Sequence, residues 1–245
     1  TSRGFGSLPI HRELRIAQLE ECVRLRPALL NEPNFVTSYL TRLQPSVDTA
    51  WQKDPAARAA QYARLWQFAQ RLSPAHNSLK GHVLFHWLQH DLTQGAPDKD
   101  RFLAYIRLPR RSGHPSEDHL RRHQRGEEFV NAGITYPTAL AAIGDDEALV
   151  RACLEQFFVR EDSYEAYAQF LDADWLKGVL AETKILLGLG DMERWYALLN
   201  DPQRLEQIEK RVEIGFPATQ RTAYAAGDAV RLEVDTKNVP TLLVK

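Results

Sequence analysis

The sequence predicts a mainly α-helical protein, an irregular helical bundle or array that is followed by a few β-strands. Two observations predict this fold class. Apolar residues recur at helical spacing through most of residues 1–209, and after that they alternate with polar residues instead. We therefore expect an α-helical domain over residues 1–209 and a β-strand segment over residues 210–245, with the look of an opening β-sandwich.

The helical part shows its clearest pattern between residues 55 and 72. Leu65, Phe68 and Leu72 belong to an apolar stripe there, and the arginines lie mostly off it. Asp54 before Pro55 is typical of a helix start. Trp66 and Trp87 are predicted to be core residues. The spacing predicts helices over about 11–25, 33–44, 55–72, 76–93, 117–130, 145–159, 163–187 and 191–210, the last with at least one break.

The β-strand segment contains three predicted strands, over residues 212–216, 230–234 and 239–244. In the first two, valine, leucine, isoleucine and phenylalanine alternate with glycine or charged residues, and residues 235–238 form a predicted hairpin loop. A β-sandwich needs about seven strands. We therefore expect further strands from outside this sequence to complete the domain, and the open edges make strand-mediated self-association a second expectation.

The composition is typical of a soluble globular chain. Of 245 residues, 44% are hydrophobic and 26% are charged, and the formal net charge is −1. This near balance gives no reason to expect a nucleic-acid partner, and no apolar run is long enough to predict membrane insertion.

The stretch from residue 98 to residue 126 is rich in arginine and is predicted to be a surface loop. One interpretation is a helical adaptor that binds an anionic partner through the Arg-rich loop 107–125. Interspersed acidic residues and the lack of an aromatic stacking pattern favour a solvated loop over a nucleic-acid site. The arginines are Arg107, Arg110, Arg111, Arg121, Arg122 and Arg125.

Two groups of histidines invite a metal-binding hypothesis. His82, His86 and His90 follow one another at helical i, i+4 spacing, and His119 and His123 repeat that spacing with Glu127. A metal-binding module or a metal-dependent enzyme is therefore an alternative function. Against it, the His-Glu-x-x-His pattern of zinc peptidases is missing, and apolar neighbours already explain the first helix as a packed element with its histidines at the edge of the buried face. No residue is assigned as a metal ligand.

Signatures of other catalytic sites are also missing from the sequence. There is no Gly-x-Ser-x-Gly nucleophile turn and no phosphate-binding loop, and the glycines at 188 and 190 lack the third glycine of a dinucleotide site. We therefore predict no catalytic residue, no cofactor-binding residue and no cofactor. The favoured function is a non-enzymatic structural or interaction module that forms part of a larger protein.

A family resemblance rests on the last hundred residues, mainly 163–245. Helical Ser163-Tyr-Glu-Ala-Tyr167 and Asp174-Trp-Leu-Lys177 are followed by Arg211-Val-Glu-Ile-Gly-Phe-Pro217 and the alternating stretch from Asp228 to Lys245. This order resembles the N-terminal helical region of a large bacterial alpha-2-macroglobulin-like protein as it enters its first macroglobulin-type β-sandwich. The resemblance implies a periplasmic or extracellular fragment that packs against downstream domains of its own chain or another protein.

Overall fold

The computed structural model describes residues 4–46, 51–123, 128–199, 201–217 and 220–243. Helices dominate these residues, which confirms the mainly α prediction. Short 3₁₀ helices (Pro9–Arg12, Pro27–Asn31 and Pro74–His76) precede three of the α-helices. The α-helices are α1 (Ile16–Leu25), α2 (Pro33–Arg42), α3 (Pro55–Ala69), α4 (Asn77–Thr93), α5 (Lys99–Ile106), α6 (Glu117–Arg122), α7 (Glu147–Phe158), α8 (Glu165–Ala168), α9 (Ala173–Leu186), α10 (Met192–Leu199) and α11 (Pro202–Lys210).

The helices bury two hydrophobic clusters. The first cluster joins α1, α2, α3 and the start of α4, and Leu19, Phe35 and Leu65 lie at its centre. The second cluster joins the rest of α4 with α5, α7, α9 and α10, and its members are Leu88, Phe102, Leu154, Leu180 and Trp195, together with their neighbours. The partly buried Trp66 packs against both. The helical region is therefore held together by two adjoining cores.

Helix α4 lies between these two clusters. It contacts α3, α5 and α7, so it is covered on most of its circumference. Leu79, Val83, Leu84 and Leu88 are almost inaccessible to solvent. A helix with so little exposed surface acts as the central support of the domain, and its sequence need not show one apolar stripe.

The structure corrects three helix predictions. Helix α5 occupies part of the stretch that was predicted to be a surface loop, because Asp98 caps it through a 2.7 Å bond from Arg101 N, and Phe102 is buried. Helix α6 ends at Arg122 instead of residue 130. The predicted helix 163–187 is two helices, because Asp172 starts α9 afresh by accepting a bond from the Trp175 backbone.

The prediction that Trp66 and Trp87 are core residues is only partly right. Both are partly buried, and the Arg101 guanidinium lies 3.6 Å from the ring centroid of Trp87. The fully buried indole is that of Trp195, whose Nε1 donates to Leu189 O at 2.7 Å. Spacing along a helix indicated which residues face inward, but not which of them lie deepest.

The C-terminal segment contains two short strands in the described residues. β1 (Glu213–Gly215) and β2 (Asp235–Lys237) are antiparallel, with Ile214 opposite Thr236. The predicted hairpin loop therefore contributes a strand, while residues 230–234 and 239–243 form none. Alternation predicts only a tendency to form a strand, because a strand also needs a neighbouring strand to bond with. Among the described residues, β1 and β2 pair only with each other.

No helix in the described ranges combines the length and apolar character needed to cross a bilayer.

Candidate interaction surface

The arginine-rich stretch is fixed to the rest of the domain by its backbone. Val130 N donates to Pro109 O at 2.8 Å, and Asp172 N donates to His114 O at the same distance. An isolated bridge also pairs Pro115 with Leu171. These bonds tie the stretch to two segments that are distant in sequence, so the prediction of a solvated surface loop is wrong for this part of it.

Arg110 forms a buried ion pair beneath this stretch. Its side chain is 2% exposed and donates to Asp146 Oδ2, which also accepts a 2.6 Å bond from the Tyr105 hydroxyl. The Arg110 guanidinium lies 4.7 Å from the centroid of the Tyr105 ring. Of the six arginines predicted to face solvent, this one is instead part of the packed interior.

The ionisation of this buried group is set by its partners. Burial raises the pKa of Asp146, but the charge of Arg110 and the hydroxyls of Ser112 and Tyr105 outweigh that cost, so its pKa lies below the ordinary value. Burial, together with Asp146, holds the pKa of Tyr105 well above its ordinary value. The group is therefore an arginine cation, an aspartate anion and a neutral tyrosine at neutral pH.

Gly113 allows the backbone to pass close to this ion pair. Its φ is +68°, and a Cβ at this position would lie 2.9 Å from both Arg110 Nη1 and Asp146 Oδ1. Any larger residue would meet strain in the backbone and a clash with the buried charges. The turn thus depends on glycine.

Above this base, three exposed arginines have no carboxylate partner among the described residues, and we call them the arginine surface: Arg107, Arg111 and Arg122. The Arg107 guanidinium lies 5.8 Å from the Phe170 ring centroid, and that of Arg111 lies 4.9 Å from the Phe129 ring centroid. Within the described part of the chain, no carboxylate lies within 4.0 Å of any of the three. All three are cations without a carboxylate partner among the described residues, and Arg107 and Arg111 also lie over an aromatic ring.

The remaining arginines of the stretch differ. Arg121 forms an exposed ion pair with Asp118 on α6, so its charge is locally balanced. Arg125 lies outside the described residues, as does Glu127 of the second histidine group.

Charge is concentrated in this part of the chain. Residues 107–123 contain five arginines and two carboxylates, although the whole chain has a formal charge of −1. This positive charge affects the buried His119, because burial, His123, Arg122 and Arg110 all lower its pKa. The arginine surface is therefore locally positive even though Asp146 neutralises Arg110.

The histidines of α4 act as packing residues. His82 Nε2 is 2.9 Å from Thr138 Oγ1, and His86 Nε2 is 2.8 Å from Ala141 O, so both hold the 136–141 segment against α4. Burial lowers the pKa of His82 to about 4. His82 and His90 are buried, which corrects their predicted place at the edge of the apolar face.

The two histidine groups do not form a metal centre in the described residues. The rings of His119 and His123 are 5.1 Å apart, and no described hydrogen bond or ring contact joins them to the histidines of α4. Among the residues that the structure describes, no three histidine, cysteine, aspartate or glutamate side chains are placed to hold a metal ion. The metal-binding alternative has no support in this geometry.

Comparison with known proteins identifies the family. The model of the actin-binding protein F N-terminal domain matches residues 1–212. The curated protein named actin-binding protein F from Dictyostelium discoideum is 28% identical over 245 residues, which cover 98% of this chain and 10% of that protein. No solved structure matches.

These matches show that the predicted resemblance to bacterial alpha-2-macroglobulin-like proteins is wrong. The curated match runs through the residues on which that resemblance rested, and the periplasmic or extracellular location that it implied has no other support. Helices followed by alternating strands are common to many unrelated proteins, so their order was not a specific signal. The family model covers residues 1–212, and the chain belongs to the actin-binding protein F N-terminal domain family.

Proposed function

We propose that this chain is a non-enzymatic protein-interaction module and that it contributes to the binding of actin through the arginine surface. Membership of a domain family named after an actin-binding protein supports the general role. The relative's own name supports actin as the partner, and the chain spans about a tenth of that relative.

The observation that carries the proposal is the arginine surface itself. Arg107, Arg111 and Arg122 are exposed and have no carboxylate partner among the described residues, so their charge is available to an approaching protein. Guanidinium groups recognise carboxylates through paired hydrogen bonds. The partner surface that fits these arginines is therefore acidic.

Backbone hydrogen bonds and aromatic contacts restrain the arginine surface, which makes it suitable for recognition. The stretch is tied down by the bonds at Pro109 and His114, and Phe170 and Phe129 lie under two of the guanidinium groups. Side chains that are already restrained lose less conformational entropy when a partner arrives. The buried pair of Arg110 and Asp146 thus positions the surface without taking part in contact.

The test is sedimentation of the chain with actin filaments. Replacing Arg107, Arg111 and Arg122 together by glutamate should weaken co-sedimentation at least about tenfold, because like charges would then face an acidic partner. Raising the salt concentration from about 0.05 to about 0.3 M should weaken binding of the unmodified chain in the same direction.

A matched control separates this effect from bulk charge. Arg15, Arg64 and Arg160 are also exposed, and their joint replacement by glutamate changes the net charge by the same amount. This control should bind as the unmodified chain does, and thermal unfolding should show that both variants remain folded. Equal loss in both triple variants, or no sedimentation of the unmodified chain, would contradict the proposal.

A further inference from the structure

The two faces of the C-terminal ribbon of β1 and β2 differ in character. In the register that pairs Ile214 with Thr236, Gly215 is opposite Asp235, so Gly215, Asp235 and Lys237 lie on the face away from Ile214. The same alternation puts Ile214 on the face that continues toward Phe216 and Val234.

The ribbon and the helical domain line a common cleft. On the side of the ribbon, a cleft of about 510 Å³ is lined by Gly215, Phe216, Asp235, Thr236 and Lys237, and its opposite wall includes Arg151, Glu182 and Arg204 of α7, α9 and α11. Glu182 accepts from Arg204 Nε at 2.7 Å and from Arg151 Nη2 at 2.6 Å. The helical wall of the cleft therefore carries this ion-pair network beside the apolar side chains of Leu186, Leu187 and Ile208.

The apolar face is largely exposed to solvent, although Phe216 also lines the cleft. We define it by six side chains at alternate positions, which are 44% to 70% exposed: Val212, Ile214, Phe216, Val230, Leu232 and Val234. Between residues 212 and 243, none of the side chains that the structure describes is buried. Large apolar side chains that are exposed together in one segment normally mark a surface that another structure covers.

We propose that this apolar face is the docking surface for further β-strands, supplied by the polypeptide that follows this segment in the full-length protein. The spacing identifies the occupant, because side chains repeating every second residue fit the face of another sheet. β1 and β2 each pair on one side only among the described residues, so each has an edge where an added strand can bond.

The comparisons support the same occupant. The model of the N-terminal domain family ends at residue 212, where the apolar face begins, while the curated relative matches on through the segment and is far longer than this chain. The boundary between residues 1–209 and 210–245 is then a domain boundary, and the segment belongs to a β-domain.

Hydrogen exchange on two lengths of the protein tests this proposal. One sample is the chain of 245 residues, and the other is the full-length polypeptide, or a form extended by about 80 residues to the usual size of a β-sandwich. Amides in 212–243 should exchange at least about tenfold more slowly in the longer protein, while those of α3 and α4 keep the same rates. Fast exchange of 212–243 in both samples would overturn the proposal.

A second copy of the chain is the competing occupant. If the segment is already protected in the chain of 245 residues and this protection rises with protein concentration, chains pair with each other and the proposal is wrong. In the longer protein, Ile214→Lys with Leu232→Lys should abolish the protection. The control Glu233→Lys should leave it unchanged, because Glu233 alternates with the apolar face.

Discussion

The helical domain and the C-terminal segment contain similar apolar residue types but bury them to very different extents. Helices α1 to α11 enclose two hydrophobic clusters, and Ile208 is the last buried residue in the described part of the chain. Of the fourteen large apolar side chains that are exposed among the residues that the structure describes, eight lie in residues 212–243. Amphipathic patterning therefore selects helix or strand, but only a second packed layer produces a core.

The largest expected effect lies in the helical domain, at the buried ion pair. Asp146→Ala should lower the free energy of unfolding by about 3–5 kcal/mol, because it leaves the Arg110 cation buried without a counter-ion. Urea unfolding measures this. Replacing both partners, Arg110→Met with Asp146→Leu, should recover most of the loss. If the single variant loses less than about 1 kcal/mol, Arg110 reaches solvent and the base of the arginine surface is not rigid.

A pair of phenylalanine variants compares the two regions directly. Phe102 is 0% exposed and Phe216 is 58% exposed. Phe102→Ala should cost about 3–5 kcal/mol of unfolding free energy, whereas Phe216→Ala should stay within about 0.5 kcal/mol. A cost above about 2 kcal/mol for Phe216→Ala would mean that the segment belongs to the core of the helical domain.

A third prediction concerns pH. The pKa of His82 falls from 6.5 to about 4 on folding, so the folded state excludes a proton that the unfolded chain accepts. The free energy of unfolding is therefore unaffected by the titration of His82 well above pH 6.5 and falls as the pH falls from 6.5 toward 4. Between pH 7 and pH 5 the loss should be about 2 kcal/mol.

His82→Gln provides the control for this pH effect. The variant should unfold with a visibly smaller dependence on pH than the unmodified chain, because the buried imidazole is gone. Residues 212–245 contain no histidine, so this dependence belongs to the helical domain. Identical pH profiles for the two proteins would show that His82 is accessible to protons in the folded state.

The smallest expected effect is at a helix cap. Asp172 Oδ1 accepts from Trp175 N at 2.8 Å and starts α9. Asp172→Ala should cost about 1 kcal/mol in thermal or chemical unfolding, while Asp172→Asn should cost much less because the amide oxygen can still accept the bond. Equal losses would indicate a role for the charge beyond capping.

The features of the fold that depend on local apolar periodicity could be predicted from the sequence. The mainly α class, the change to strands near residue 210 and most helix positions follow from apolar spacing and from caps such as Asp54. Helix α5 was missed because its eight residues lie among arginines and prolines, and its apolar face is only Phe102, Tyr105 and Ile106. So short a pattern is difficult to distinguish from a loop.

The candidate surface could be predicted only in part. The cluster of arginines was visible, but nothing in the sequence separated Arg110 from Arg111, since its partner Asp146 is 36 residues away and reads as a helix cap. The exposure of Arg107 and Arg122 likewise depends on how α5, α6 and Phe170 pack. Tertiary contacts, and not spacing, decide which of several similar charges faces a partner.

We propose that actin binding and the docking of further β-strands lie on different regions of the chain, and one sedimentation experiment with actin filaments tests this separation. Two variants are compared with the unmodified chain: the glutamate triple at Arg107, Arg111 and Arg122, and the apolar-face pair Ile214→Lys with Leu232→Lys. We expect the first to lose at least about tenfold in affinity and the second to bind normally. If the lysine pair loses binding and the arginine triple binds normally, actin binds at the apolar face and not at the arginine surface.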